Sequence, residues 1–152
     1  MSFAHDDAYM REALDFARQA GGRGEVPIGA LVVNPQGVVI GRGGNEVEKN
    51  KCQIDHAEAC AIRSATQALG DWRLERCTLY VTLEPCMMCI SLAALSRIER
   101  VVYGAQSPLF GYSLDKEGVL ALYTKQIKNI TSGVLAQEAM ELLQSFFKKT
   151  RA

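Results

Sequence analysis

The chain has 152 residues, and its 17 basic and 17 acidic side chains cancel. Hydrophobic residues make up 48% and charged residues 22%, the balance of a folded domain with one proper core rather than of a disordered or membrane-embedded chain. Zero net charge argues against nucleic-acid binding by bulk basicity, so any contact with phosphate has to come from local patches.

The elements follow in chain order. Over residues 6–20, Tyr9, Met10, Ala13, Leu14, Phe16 and Ala17 recur at helical spacing, and Gly21-Gly22 stop the helix. β-branched runs at 28–33 and 38–40 flank Asn34-Pro35-Gln36-Gly37, a hairpin signal. The polar stretch 43–54 reads as a functional loop. A helix is predicted over 55–69 with Gly70 as its cap, then a buried strand over 77–83. Pro85 is expected to open a helix running to 96, because proline suits a first turn. A short strand at 100–103 and a loop at 105–114 follow. Residues 120–130 are ambiguous between helix and strand, and 135–149 form an amphipathic helix with Leu135, Met140, Leu143 and Phe146 or Phe147 on one side. Strand, helix and strand in close succession over 77–103 imply a parallel pair with a right-handed crossover. The expected architecture is a single-domain (1–152) three-layer α/β/α sandwich over a mixed sheet. Ligands in such sheets sit beyond strand ends, at helix N-termini. No apolar run approaches the length of a bilayer span. The first 14 residues lack the pattern of a secretory signal, so a cytoplasmic protein is expected.

Five cysteines, two of them in a C-x-x-C pair, favour metal or redox chemistry over a disulfide framework in such a compartment. Two segments carry the chemistry: Asp55-His56-Ala57-Glu58 at one predicted helix start, and Pro85-Cys86-Met87-Met88-Cys89 at another. Cys86 and Cys89 share a helix face, and the helix dipole favours their thiolates. Adding His56 gives two sulfurs and one nitrogen, a donor set for one zinc ion that leaves a fourth tetrahedral position for water. Zinc lowers the pKa of such a water towards neutrality. Glu58, two residues from a ligand, is placed to move protons if His56 lies at the helix entrance, and a carboxyl in such a pocket has its pKa raised towards the working range. Each motif alone has plainer readings. C-x-x-C also suits a redox pair or half a structural site. Cys60, four residues after His56, would complete a sealed Cys3His site with Cys86 and Cys89.

Together, His-x-Glu and Pro-Cys-x-x-Cys match the signature of the zinc deaminases of nucleobases. With Gly24-Glu25-Val26-Pro27-Ile28-Gly29-Ala30, Asn45, residues 79–86, Ser96-Arg97-Ile98, residues 101–105 and residues 146–149, the chain resembles the bacterial tRNA-specific adenosine deaminases nearly end to end. The resemblance implies a cytidine-deaminase-like fold with a five-stranded sheet, one zinc per subunit, a homodimer, and deamination of adenosine to inosine at the wobble position of a tRNA anticodon stem-loop. It implies that Asn45 contacts the nucleoside and that Val26, Pro27 and Leu83 wall the base pocket. It also implies that the backbone around Ala57 and Glu84 helps hold the base, and that Phe146 or Phe147 and the basic tail (Lys148, Lys149, Arg151) meet the RNA. The chain departs from the family where Gly-Ala-Arg-Asp becomes Gly104-Ala105-Gln106-Ser107, leaving Ser107 in place of an acidic RNA contact, and at Lys49 and Lys51 in the 46–54 loop. Competing expectations are the same chemistry on a free base, nucleoside or nucleotide (cytosine, cytidine, deoxycytidylate or guanine) and a non-catalytic zinc-stapled binding module.

Overall fold

The computed structural model describes residues 4–151; the outermost residues of the 1–152 span lie outside the described residues. Helix α1 (Asp6–Gly22) buries Met10, Ala13, Leu14, Ala17 and Ala20, one face at helical spacing. Strands β1 (Gly29–Val33) and β2 (Val39–Gly44) form the hairpin, and β2 continues four residues beyond the β-branched run. The polar stretch after it contains a one-turn helix, α2 (Val47–Asn50). Then come α3 (Ala57–Leu69), which ends on Gly70 in the left-handed region, β3 (Thr78–Leu83), α4 (Met87–Leu95) and β4 (Arg100–Ala105). The ambiguous segment holds both alternatives, a short helix α5 (Ala121–Thr124) followed by strand β5 (Asn129–Thr131). Helix α6 (Ala136–Thr150) closes the described chain.

The five strands lie in the order β2-β1-β3-β4-β5. β1 is antiparallel to both of its neighbours, whereas β3, β4 and β5 run parallel, with α4 as the crossover between β3 and β4. One core packs Ala61, Ile62 and Ala65 of α3 and Ile90, Ala93 and Ala94 of α4 against Val32, Leu79, Val81 and Val101. The other packs Met10, Ala13 and Leu14 of α1 and Ala139 of α6 against Leu31, Tyr80 and Val102. The strand residues alternate between the two lists, as the two faces of a pleated sheet require. The molecule is therefore the expected three-layer sandwich over a mixed sheet.

Glycines set how closely α3 approaches. A Cβ on Gly43 would lie 2.7 Å from the Ala57 carbonyl, and one on Gly41 would strike the Ala61 carbonyl, so α3 rests directly on the backbone of β2. That contact fixes the start of α3, where His56 and Glu58 sit.

Two expectations about helices need correction. Pro85 lies outside α4, with Cys86 as the N-cap, because the chain is still extended at Cys86 (φ −75°, ψ 175°). The apolar residues of α6 form two rows rather than one. Leu135, Ala139 and Leu142 pack towards the core, while Met140, Leu143 and Phe147 are turned one step around the helix into a cleft.

At the start of β4, opposite the strand ends that carry the motifs, Arg100 makes a buried bidentate pair with Asp6 (2.8 and 2.6 Å). Tyr80 donates to the same carboxylate at 2.7 Å, and Arg100 also donates to Asn129 and Thr131. One ion pair thus ties the first turn of α1 to β3, β4 and β5.

Candidate active site

The two motifs meet because each begins a helix at the same edge of the sheet. His56 is the N-cap of α3 and Cys86 that of α4, both extended, and their side chains turn towards each other. Nδ1 of His56 lies 3.6 Å from Cys86 Sγ and 3.4 Å from Cys89 Sγ. The three donor atoms all fall within 4.8 Å of one another. Two thiol sulfurs and an imidazole nitrogen at this spacing fit zinc, with a coordination position to spare. On the far side of the ring, the Gln53 amide sits 3.3 Å from Nε2 of His56, where it orients the imidazole. Hydrogen bonding from Cys89 pulls the Cys86 thiol down to about 4 against the effect of burial, with His56 adding to the pull. The same pairing, with burial, pushes Cys89 up. The thiolate of Cys86 is the form that binds metal.

Glu58 is the second residue of α3 and is almost wholly buried. Burial pushes its carboxyl up to about 7, against the nearby charge of His56. It shares a cavity of about 260 Å³ with His56, Cys86, Gln53, Leu83 and Ser107. A buried carboxyl beside a three-donor metal set, lining the same pocket, is what proton transfer to a small bound ring requires.

Cys60 does not join the donor set. Its thiol points back to the Asp55 carbonyl (3.8 Å), and the cluster contains only His56, Cys86 and Cys89 among the described residues. Cys60→Ser is therefore expected to keep one zinc per chain by elemental analysis and to keep full turnover. Loss of the metal would restore the sealed four-ligand site.

A second, larger space of about 820 Å³ adjoins the cavity and shares Ile28, Leu83 and Ser107 with it. Val26, Asn45 and Phe147 line this cleft, together with Lys148 and Arg151. Asn45 also turns the chain, because its Oδ1 accepts from Val47 N at 3.2 Å. The remaining predicted residues lie elsewhere. Pro27 is buried beside Gly21 at the end of α1, behind the wall that Val26 forms. Ala57 is buried at the start of α3. Phe146 is half-buried, edge-on to Phe147, and lines neither space.

Glu84 borders the cavity, but its carboxylate serves the 105–114 loop: Oε1 accepts from Ser107 N (3.1 Å) and Oε2 from Ser113 N (2.9 Å). Glu25 does the same for the other loop, accepting from Glu48 N and Lys49 N. Two buried carboxylates thus clamp the two loops that flank the site. Gly111 presses against the Glu84 carboxylate, and a Cβ there would overlap it. Gly111→Ala is expected to destabilise the fold by about 1–3 kcal/mol in urea unfolding, as overpacking does. An unchanged midpoint would contradict the clamp. Sequence reasoning gave no site role to Glu25 and Ile28, which stood only within the 24–30 stretch of the resemblance, and missed Gln53 and Phe110, which nothing in their local spacing marks.

The model of the cytidine and deoxycytidylate deaminase zinc-binding region matches residues 4–105. The chain belongs to that family. It is 46% identical over 149 residues to the tRNA-specific adenosine deaminase of Bacillus subtilis (strain 168), covering 96% of this chain and 91% of the relative. It is 42% identical over 145 residues to a tRNA(Ile)-lysidine synthase of Deinococcus deserti; there the match covers 95% of this chain but only 27% of the relative's length. Among solved structures it resembles one from a study of A-to-I editing by tRNA:A34 deaminases at the wobble position of transfer RNA. The TM-score is 0.83 at 42% identity, over 90% of this chain and 99% of that one. The matched family region includes every residue of the donor set and Glu58, and it ends before the loop that Glu84 clamps.

Proposed function

We propose that the chain is a zinc-dependent hydrolase that converts adenosine to inosine at the wobble position of a tRNA anticodon stem-loop. The observation that carries this is the buried Glu58, which shares a pocket with His56 and Cys86 of the three-donor set completed by Cys89. The substrate is taken from the relatives and from the cleft leading out of the cavity. His56, Cys86 and Cys89 would hold the zinc ion, which would supply a water acidified to near neutrality. Glu58 accepts one proton from the attacking water at its carboxylate and passes it to the ring nitrogen; it then takes the proton of the new C6 hydroxyl and passes it to the amine, which leaves as ammonia while the carbonyl forms. In balance, adenosine and water give inosine and ammonia. Ile28, Leu83 and Ser107 form the cavity mouth through which a base splayed from a loop enters. Asn45, Val26 and Phe147 meet the rest of the RNA, with Lys148 and Arg151 answering its phosphates.

The cytoplasmic location is part of this proposal and rests on the proposed tRNA substrate. Among the described residues no helix is long and apolar enough to cross a membrane. The exposed Met87 and Leu95 of α4, with the exposed Leu122 and Tyr123 of α5, a helix packed against α4, support a homodimer, and the whole 1–152 span is read as one deaminase domain.

The test is kcat/KM for an anticodon stem-loop beside free adenosine, cytidine and guanine. Turnover confined to the stem-loop is expected. Efficient turnover of a free base or nucleoside would keep the site chemistry and overturn the RNA assignment. Bound zinc with no turnover on any of them would leave a zinc-stapled binding module.

A further inference from the structure

Phe110 stands between the catalytic cavity and the larger cleft, lining both, and it is 74% exposed. Neither the core nor the metal chemistry accounts for an aromatic ring there. Its loop is held firmly on either side. Ser107 and Ser113 both donate to Glu84, Gly111 N donates to the Ser107 carbonyl (3.1 Å), and Tyr112 N donates to the Pro85 carbonyl (2.9 Å). The ring is thus presented on a rigid support one residue from the strand-like bridge between Gly111 and Cys86. Beyond it the cleft wall is apolar, through Leu83, Met140, Leu143 and Phe147, and two cations, Lys148 and Arg151, stand at its edge.

We infer that Phe110 is the stacking platform for the nucleotide adjacent to the deaminated one. This rests on the proposed stem-loop substrate. A base held in the cavity leaves its neighbour in the cleft, because the two spaces adjoin and share Ile28, Leu83, Ser107 and Phe110 in their walls. A flat ring on an apolar wall accepts any base by its π-face, and the cations meet the phosphate that follows. Phe110 is then a determinant of substrate binding that touches the RNA but not the reacting atoms.

Phe110→Ala, Phe110→Trp and the native protein are compared on three stem-loops: intact, abasic on the 5′ side of the target, and abasic on the 3′ side. Stacking on an aromatic side chain is worth roughly 5- to 150-fold per base. Phe110→Ala is expected to lower kcat/KM on the intact RNA by a factor in that range, mostly through KM. One of the two abasic RNAs should impose a similar loss on the native protein and almost none on the variant, and Phe110→Trp should restore binding. Equal losses on all three RNAs would overturn the platform. So would a change in subunit association by sedimentation, which would make Phe110 a protein contact. A native protein inactive on the intact stem-loop would sink the functional proposal as well; an active one without coupling would sink only the platform.

Discussion

Glu58→Gln is expected to leave the fold and one zinc per chain in place while lowering kcat by about 10²–10⁴-fold, the range assigned to a positioned acid–base group. The upper end is expected, because the same carboxylate serves more than one proton transfer. The amide keeps the size of the side chain and one acceptor oxygen, puts an NH2 donor in place of the other, and neither accepts nor returns a proton. Zinc content by elemental analysis and single-turnover rates on a stem-loop separate this from loss of the site. Rates within a factor of a few of native would remove Glu58 from the chemistry. The native pH profile carries a second signature. Glu58 must be ionised to accept a proton, so kcat/KM falls as pH drops through its pKa. Without metal, burial raises that pKa to about 7; a bound cation draws it lower.

Asp6→Ala is expected to destabilise the fold by about 3–5 kcal/mol, because it takes the bidentate Asp6 carboxylate away from the buried guanidinium of Arg100. Asp6 and Arg100 are both buried, and the carboxylate is shared with the Tyr80 hydroxyl. Burial pushes the Asp6 carboxyl up, but hydrogen bonds from Arg100 and Tyr80 outweigh it and leave the pKa below its ordinary 3.8. The sign follows from linkage. A carboxyl whose folded value lies below its unfolded one contributes stability that is complete above about pH 4 and is lost as pH falls towards the folded value. Urea unfolding from pH 6 to pH 2 should show that acid loss in the native protein and a weaker one in the variant. A midpoint for Asp6→Ala within about 1 kcal/mol of native would contradict the ascribed role.

The chemistry was legible because its ligands lie close in sequence. His56 with Glu58, and Cys86 with Cys89, announce themselves by spacing, and each pair begins a helix that the hydrophobic pattern also marks. The doubly packed sheet was legible for a similar reason, since β1, β3 and β4 are continuous apolar runs. What escaped was set by distant partners. Glu84 reads as part of a motif, yet its oxygens are taken by Ser107 and Ser113, more than 20 residues away. Glu25 stands inside a stretch that carries the resemblance, yet nothing there marks its role, because its partners Glu48 and Lys49 lie in a loop that reads simply as polar. Gln53 and Phe110 become site residues only when two loops close over the same edge of the sheet. Residues 120–130 looked ambiguous because they contain a helical turn and a three-residue strand, each too short to impose a period. On α6 the apolar residues were visible, but not their division into a core row and a cleft row.

The most direct measurement is mass analysis of an anticodon stem-loop after incubation with the zinc-loaded protein, beside a stem-loop in which the wobble adenosine is moved one position along the loop. Conversion to inosine is predicted at the wobble adenosine of the first RNA and at no position of the second. Conversion at neither, by protein that carries one zinc per chain, would contradict the proposed activity.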